Sequence, residues 1–293
     1  MVYSAVNATR SNFFRVPRLM PFLLTILWTV LAAYSGLVIF AWLCADRMIF
    51  PRPAPSYHDA PNQNKLPAAD GNEITAVFLP NPTAPFVILY SLGNGEDLGT
   101  VEDSLREFQK RGWAVFAYDN PGYGTSTGTP TEASCYSAIG AAYSYLTTLK
   151  NVPPERIVLY GRSLGSGPAV ELASLEPVGG LILQGAYLST FRVITHWKLL
   201  PWDKFDNLAK ITHVHAPLLS IHGRLDETVP FWHGEELFNA YPGPKDHLWL
   251  DNAAHNNILE VAPAEYWEAI EKFRQKLIAA LPPGSPAAAT PAP

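Results

Sequence analysis

Short apolar runs alternate with helical segments along most of the chain. Several of the runs are continuous rather than alternating, as is typical of strands buried on both faces of a parallel sheet. The predicted strands are Ile74–Leu79, Phe86–Tyr90, Trp113–Tyr118, Ile157–Tyr160, Gly180–Leu183, Leu218–Ile221 and Leu248–Leu250. The predicted helices are Val101–Arg111, Thr131–Lys150, Leu164–Ser174, Trp232–Ala240 and Pro263–Ala280. This β-α-β-α order predicts an α/β protein with a mostly parallel central sheet flanked by helices.

An uncharged apolar stretch near the N-terminus stands apart from this rhythm. It runs from Leu19 to Ala45, about 27 positions, whereas a transmembrane helix needs roughly 20. The stretch is too long for the apolar part of a signal peptide, and buried core helices usually stop nearer 10–14 apolar residues. Cys44 follows Leu43, whereas lipid-attachment signals place a small residue there. The pattern therefore predicts a transmembrane helix over 19–45.

The charges on either side of this stretch predict its orientation. Arg10, Arg15 and Arg18 precede it, while Asp46 and Arg47 follow it and partly cancel. Because Lys and Arg favour the cytoplasmic side, residues 1–18 are expected inside the cell. The protein is thus predicted to cross a membrane once, with the rest of the chain extracytoplasmic, in a periplasm or a lumen.

Proline and alanine content marks the remaining boundaries. Residues 46–70 are interpreted as a linker because prolines recur there, at Pro51, Pro53, Pro55, Pro61 and Pro67. The main domain is predicted over 71–281, with a small cap at about 188–215. Residues 282–293, rich in proline and alanine, are predicted to be a disordered tail.

Composition narrows the class of protein further. The formal net charge of -5 gives no basic footprint, so nucleic acid is not an expected partner. The 2 cysteines, Cys44 and Cys135, exclude a disulfide framework as the main source of stability. Composition leaves the oligomeric state open.

Gly161–Gly165 is the clearest chemical motif. It reads Gly-Arg-Ser-Leu-Gly and follows the predicted strand Ile157–Tyr160 directly. This is the layout of a nucleophile elbow, in which a tight strand-to-helix turn exposes the hydroxyl of Ser163. The glycines avoid collisions with the neighbouring strand and helix, and the helix N-terminus favours developing negative charge. The five residues alone also fit an ordinary turn, so further residues must decide.

Two further strands end in the residue types that a nucleophilic serine needs. Asp226 follows the strand Leu218–Ile221, and His255 follows Leu248–Leu250. Ligands and catalytic groups meet at the carboxyl ends of parallel strands, and Ser-Asp-His is the order of α/β-hydrolases. His255 is therefore the predicted general base for Ser163, with Asp226 orienting the imidazole.

Neighbouring residues compete for some of these roles. Asp251 and Glu227 are alternative acids near the same loops. His222 and His233 are expected to support the site rather than act as its base.

The oxyanion hole is predicted from two backbone segments. One donor is the N–H of Leu164, the residue after the nucleophile. The other is expected from the glycine-rich loop after Phe86–Tyr90, with Asn94 as first choice and Gly95 as second.

Several segments together resemble a known family. They are Ser91–Gly99, Asp119–Glu132, Gly161–Gly165, His222–Asp226 and His255–Asn257. The set is similar to membrane-anchored α/β-hydrolases of the BEM46-like and ABHD13/ABHD17-like group. The resemblance covers roughly 74–281 and implies the α/β-hydrolase fold, serine hydrolase activity, and no metal or cofactor. Relatives in that group include protein depalmitoylases.

This chain departs from the group at Leu92, where the family usually has histidine. The replacement is expected to alter the support of the oxyanion loop or the packing of an acyl group. Asn120 and Pro121 also depart from the residues usual in the family, and we expect these changes to have structural consequences only.

The predicted cap carries large apolar side chains, which allow two interpretations. They either pack the cap onto the core or form an apolar acyl pocket beside Ser163. They are Phe191, Trp197, Leu199, Leu200, Trp202 and Phe205. The candidate substrate contacts are Leu92, Trp197, Leu199 and Trp202.

With a membrane anchor, an acyl ester or thioester becomes the favoured small-molecule substrate, from a lipid or a lipidated protein. A serine peptidase or amidase of the same fold is the first alternative. A catalytically idle, membrane-tethered binding protein is the second.

Overall fold

The computed structural model describes residues 19–61 and 63–281. The chain divides into two compact units between Ala45 and Asp46. The predicted cytoplasmic segment 1–18 and the predicted tail 282–293 lie outside the described residues.

The first unit consists of most of helix α1, Leu19–Ile49, whose last residues belong to the second unit. Among the described residues, one helix is long and apolar enough to cross a membrane: Met20–Ile49, with a mean hydropathy of 2.1 and no burial in its apolar window. Its threonine hydroxyls bond to the helix itself, Thr25 Oγ1 to Pro21 O at 2.9 Å and Thr29 Oγ1 to Thr25 O at 2.8 Å. An apolar helix is therefore present where the sequence predicts one.

The second unit is built on a sheet of eight strands in the order β1-β2-β4-β3-β5-β6-β7-β8. Strands β1 and β2, and β2 and β4, pair antiparallel, and all other neighbours pair parallel. The strands are β1 Gln63–Pro67, β2 Glu73–Leu79, β3 Val87–Ser91, β4 Ala114–Tyr118, β5 Ile157–Arg162, β6 Gly180–Gln184, β7 Leu218–Gly223 and β8 Lys245–Leu250. The mostly parallel sheet predicted from the apolar runs is confirmed.

Strand β1 lies in residues 46–70, the segment that we interpret from its prolines as a linker. Gln63–Pro67 has no apolar run, because an edge strand needs little burial and only Leu66 turns fully inward. Earlier in the same segment, Ser56 N donates to Asp97 Oδ2 at 2.7 Å, and the Tyr57 hydroxyl donates to Asp119 Oδ2. The end of the predicted linker is therefore part of the folded domain.

Helices cover both faces of the sheet. They are α2 Glu102–Lys110, α3 Glu132–Ser144, α4 Ser166–Leu175, α5 Thr190–Thr195, α6 Asn207–Ile211, α7 Trp232–Ala240, α8 Ile258–Val261 and α9 Pro263–Ala280. Alternate residues of the inner strands join opposite clusters: Leu89 of β3 packs towards α3 and α4, while Ile88 packs towards α2 and α9. Burial on both faces is the reason the strands read as continuous apolar runs.

The predicted helix Thr131–Lys150 is present, but its last turn is π-helical. Thr131 caps α3 by accepting from Ser134 N, and the helix proper ends at Ser144. A π-helical turn, Tyr145–Leu149, continues it, so Lys150 N bonds to Tyr145 O at 3.0 Å.

Candidate active site

The strand-to-helix turn at Ser163 has the backbone geometry of an elbow. Strand β5 ends at Arg162, a single 3-10 turn spans Ser163–Gly165, and α4 begins at Ser166. Ser163 has a φ of +48°, in the left-handed region that side chains other than glycine rarely adopt. The turn therefore departs from the strand abruptly, at the carboxyl edge of the sheet.

The two glycines of the motif are required by close approach. A Cβ on Gly161 would lie 2.7 Å from Ser166 Cα, and one on Gly165 would lie 2.7 Å from Leu92 O. Both positions face backbone atoms, which cannot move aside as a flexible side chain can. Glycine is thus the residue that lets strand, turn and helix pack this tightly.

The structure brings Ser163, His255 and Asp226 into one hydrogen-bonded chain. His255 Nε2 lies 2.9 Å from Ser163 Oγ, and His255 Nδ1 lies 2.6 Å from Asp226 Oδ2. Asp226 follows β7 and His255 follows β8, so the parallel sheet delivers all three side chains to the same edge. The nucleophile–base–acid arrangement is the one that activates a serine hydroxyl.

The surroundings of Asp226 favour its charged form. Burial by itself would raise its pKa, but hydrogen bonds from His222 and His255 and from the Val229 N–H outweigh burial and hold the pKa well below its ordinary value. Its Oδ1 accepts from Thr228 N at 2.9 Å and from Val229 N at 2.7 Å. A carboxylate fixed in this way stabilises a charged imidazole next to it.

The competing acids lie elsewhere. Asp251 pairs with Arg224 at 2.9 Å, and its side chain is 81% exposed. Glu227 is exposed beside Asp226. Of the three, Asp226 is the acid that contacts His255.

The two neighbouring histidines occupy buried positions. His222 Nε2 lies 2.9 Å from Val229 O and 3.3 Å from Asp226 Oδ2, so it braces the acid loop. His233 Nδ1 accepts from Leu188 N at 3.3 Å, and burial lowers the pKa of His233 to about 3. His233 is therefore neutral at physiological pH.

The loop predicted to supply the oxyanion donor lies after β3. Gly95 has a φ of +76°, which turns the loop sharply, while the Asn94 side chain is exposed. The Asn94 Oδ1 accepts a hydrogen bond from the Tyr123 hydroxyl at 3.2 Å. Leu164 follows Ser163 in the elbow, and its side chain is buried.

An ion pair that sequence reasoning missed ties this loop to the elbow. The Arg162 guanidinium pairs with Glu96, whose Oε2 accepts from Gly93 N at 2.6 Å. The second terminal nitrogen of Arg162, Nη2, donates at 2.8 Å to Oδ1 of Asn256, the residue next to His255. Arg162, directly before Ser163, thus links the predicted oxyanion loop to the residue next to His255. The one sequence signal was a basic residue directly before Ser163, and a lone arginine indicates no partner.

The predicted substrate contacts fall in two different settings. Leu92 is 1% exposed and belongs to the core cluster on the α2 and α9 face. The Leu92 side chain therefore presents almost no surface to solvent. Trp197 and Leu199 are 75% and 49% exposed on the cap, and Trp202 is partly buried.

Phe205 of the cap is fully buried, as the packing interpretation of the cap residues expects. Trp197, in the loop between α5 and α6, is mostly exposed instead. The cap residues therefore divide between packing and exposure.

Within residues 19–61 and 63–281, no group of three or more His, Cys, Asp or Glu side chains is placed to hold a metal ion.

The sheet order and the elbow define an α/β-hydrolase fold. Residues 84–210 match the family model described as alpha/beta hydrolase fold. A Pyrococcus furiosus esterase structure superposes with a TM-score of 0.62 at 16% identity, covering 78% of this chain and 97% of that one. At this identity the likeness shows the fold alone.

Sequence relatives identify the family within this fold. The chain is 37% identical over 197 residues to the Caenorhabditis elegans alpha/beta hydrolase domain-containing protein aho-3, covering 66% of this chain and 59% of that protein. It is 35% identical over 207 residues to the human alpha/beta hydrolase domain-containing protein 17B, covering 69% and 71%. The chain belongs to the alpha/beta hydrolase domain-containing protein 17 family.

Proposed function

We propose that the protein is a serine hydrolase that cleaves carboxylic esters or thioesters through an acyl-enzyme intermediate. The observation that carries the proposal is the contact of 2.9 Å between Ser163 Oγ and His255 Nε2, with Asp226 behind the imidazole. A buried serine in a strained turn, within reach of a base, is a nucleophile poised for acyl transfer.

The first half-reaction acylates the serine. Ser163 Oγ attacks the carbonyl carbon while His255 Nε2 takes the hydroxyl proton, and Asp226 stabilises the resulting imidazolium. The tetrahedral intermediate collapses, the bond to the alcohol or thiol breaks, and His255 returns the proton to that leaving group.

The second half-reaction releases the acid. Water gives a proton to His255 and attacks the acyl carbon, and the proton then returns to Ser163 Oγ as the ester bond to the enzyme breaks. The backbone N–H of Leu164, with that of Asn94 or Gly95, stabilises the oxyanion in both steps. A donor in this role is worth ~3 kcal/mol of barrier.

We favour acyl esters and thioesters over amides because of the cap. Residues 188–215 contain only two short helices among the described elements, α5 and α6, and form no substrate-gating domain. The length and apolar character of the N-terminal helix support a location beside lipid, where acyl groups are abundant.

The decisive experiment is labelling of the full chain with a fluorophosphonate probe. Wild type should be labelled and Ser163→Ala should not, because the probe reacts with an activated serine. Equal labelling of both would reject Ser163 as the nucleophile. Hydrolysis of p-nitrophenyl esters and of matched anilides then separates substrate classes, and preference for the anilides would identify an amidase.

We also propose a single-pass topology with residues 1–18 in the cytoplasm and the hydrolase domain in a periplasm or lumen. The support is the arginine excess at Arg10, Arg15 and Arg18 before the apolar helix. A compartment-sensitive reporter fused after Pro293 should be active outside the cytoplasm, and activity inside would reverse the orientation.

A further inference from the structure

Residues 50–57 directly follow helix α1 and lie against the candidate active site; we name them the strap. At its start, Phe50 shares a buried cluster with Leu164, the residue after the nucleophile. The next residue, Pro51, lies against Gly95, since a Cβ built on Gly95 would be 4.0 Å from Pro51 Cγ. The strap therefore passes both backbone segments that are predicted to supply the oxyanion donors.

Ser56 of the strap holds the second half of the predicted oxyanion loop, residues 92–99. The Ser56 N–H donates to Asp97 Oδ2 at 2.7 Å, and the Ser56 hydroxyl donates to Asp97 Oδ1. The two segments pack closely, because a Cβ built on Gly99 would lie 3.1 Å from Tyr57 Cβ. Asp97 is 2% exposed, so water cannot easily replace Ser56 as its partner.

Tyr57 reaches the same loop through a second carboxylate. The Tyr57 hydroxyl donates to Asp119 Oδ2, and Asp119 Oδ1 accepts from Leu98 N at 2.8 Å. Asp119 directly follows strand β4 and is fully buried, so the sheet fixes its backbone. One carboxylate thus bridges the hydroxyl of the strap and the backbone of the loop.

The two carboxylates depend on the donors of the strap because they are buried close to each other. Burial raises the pKa of Asp119, and the charge of Asp97 adds to that rise. Without the Tyr57 hydroxyl, an oxygen of Asp119 loses its partner inside the protein, a state that folded proteins avoid. The Asp119 carboxylate would then shift, together with the Leu98 N–H that is bonded to it.

The first half of the loop has its own attachment. Arg162 pairs with Glu96, which accepts from Gly93 N, so Asn94 and Gly95 lie between this attachment and the strap. An oxyanion donor must lie about 2.7–3.1 Å from the charged oxygen. A misplacement of about 1 Å can cost on the order of a hundred-fold in rate. Both attachments are therefore needed to hold such a donor in place.

We propose that Ser56 and Tyr57 are positioning residues for the hydrolysis, which hold the oxyanion loop where its N–H meets the developing negative charge. Both act through Asp97 and Asp119 rather than by contact with the substrate. The proposal rests on the proposed function, and it extends the active site to the segment that leads from helix α1 to the sheet.

The test uses the full chain in detergent micelles. Tyr57→Phe removes the hydroxyl and keeps the ring, and Ser56→Ala removes one of the two bonds to Asp97. The matched control is Tyr145→Phe: the Tyr145 hydroxyl is also partly buried and donates to Asn64 Oδ1 on strand β1 at 2.8 Å. Each protein is assayed for p-nitrophenyl ester hydrolysis and for amide hydrogen exchange in a peptide that covers residues 92–100.

We expect kcat to fall at least about ten-fold in Tyr57→Phe with KM changed less than about two-fold, because the lost contact acts on charge that develops in the transition state. Ser56→Ala should show a smaller loss of the same kind, since its N–H bond to Asp97 remains. Exchange in residues 92–100 should be faster in both variants, and Tyr145→Phe should match wild type in both measurements.

An unchanged kcat in Tyr57→Phe, or exchange no faster than in Tyr145→Phe, would overturn the proposal. Failure of the proposed function looks different: the wild type would not hydrolyse esters, or hydrolysis would persist in Ser163→Ala. Hydrogen exchange would even then decide whether the Tyr57 hydroxyl holds the loop, because that measurement needs no turnover.

Discussion

His222 Nε2 lies 3.3 Å from Oδ2 of Asp226, the same oxygen that His255 Nδ1 contacts at 2.6 Å. Two imidazoles therefore converge on one carboxylate oxygen, one from the candidate base and one from the strand that carries the acid loop. The second imidazole is a positioning group, because it has no contact with Ser163 among the described hydrogen bonds.

Replacing His222 should weaken this arrangement at low pH. The pKa of Asp226 is held low, so its support for His255 is present above the ordinary aspartate pKa and is lost as pH falls. In His222→Phe one hydrogen bond to Asp226 disappears, so the pKa of Asp226 rises. Asp226 then loses its charge, and with it the support for His255, at a higher pH. We expect kcat/KM for ester hydrolysis, measured from pH 4 to 9, to fall at a higher pH on the acid side in His222→Phe than in wild type.

His247→Gln is the matched histidine deletion, since His247 is exposed on β8 and stacks on Trp249. Its profile should follow wild type. A parallel profile of His222→Phe and wild type would contradict the bracing role.

Arg162 should act on turnover through the loops that it joins. Arg162→Lys keeps the charge, but one ammonium cannot replace a planar group that bonds Glu96 and Asn256 from two nitrogens. We expect kcat to fall about ten-fold with KM little changed, because the loops flanking the reaction centre lose their mutual position.

A double-mutant cycle with Glu96→Gln tests this coupling. The combined loss in kcat/KM should be smaller than the sum of the single losses by at least about 1 kcal/mol. Additive effects would show that Arg162 and Glu96 act separately.

Alanine at Gly165 and alanine at Gly140 should change the free energy of unfolding in opposite directions. Gly165→Ala puts a methyl 2.7 Å from Leu92 O and should lower the free energy of unfolding by about 1–3 kcal/mol, with loss of probe labelling. Gly140→Ala, inside α3 with nothing within 4 Å of the added Cβ, should raise it by about 0.5–1 kcal/mol. Chemical denaturation in detergent micelles measures both, and equal effects would contradict the close packing at the elbow.

Asp119 should make stability depend on pH. Burial raises its pKa to about 7, although the Tyr57 hydroxyl and the Leu98 N–H donate to it. Between pH 4 and 7 the unfolded chain has released this proton while the folded chain retains it, so stability falls as pH rises through that window.

By pH 7 this effect lowers the free energy of unfolding by at most about 4 kcal/mol, and it is constant at higher pH. Asp119→Asn should remove this slope from the thermal unfolding midpoint measured between pH 4.5 and 8. Asp251→Asn, which alters an exposed carboxylate, should keep the wild-type slope. An unchanged slope in Asp119→Asn would show that another group is responsible.

The sequence was informative wherever a residue's role follows from its position on a strand. Burial on both faces makes the parallel strands readable as apolar runs, and the order Ser163, Asp226, His255 follows from three strands that end at one edge. Strand β1 was missed because an edge strand needs no apolar run.

Contacts between distant loops were beyond sequence reasoning for a different reason. Arg162 and Glu96 are 66 positions apart, and neither charge indicates its partner. The same limit applies to Trp197, since an aromatic residue in a cap packs or projects according to the path of the loop around it.

The left-handed backbone of Ser163 implies that thermal stability is lower because a serine, rather than a glycine, occupies this position. A side chain at a φ of +48° is held there by its neighbours at roughly 1–3 kcal/mol, and glycine would relieve that strain. Ser163→Gly and Ser163→Ala both remove the hydroxyl, so they should be equally inactive, yet the glycine protein should be the more heat-resistant of the two. The fold would then be sturdier without its nucleophile, and selection for activity would be keeping the domain below the stability that its own backbone allows.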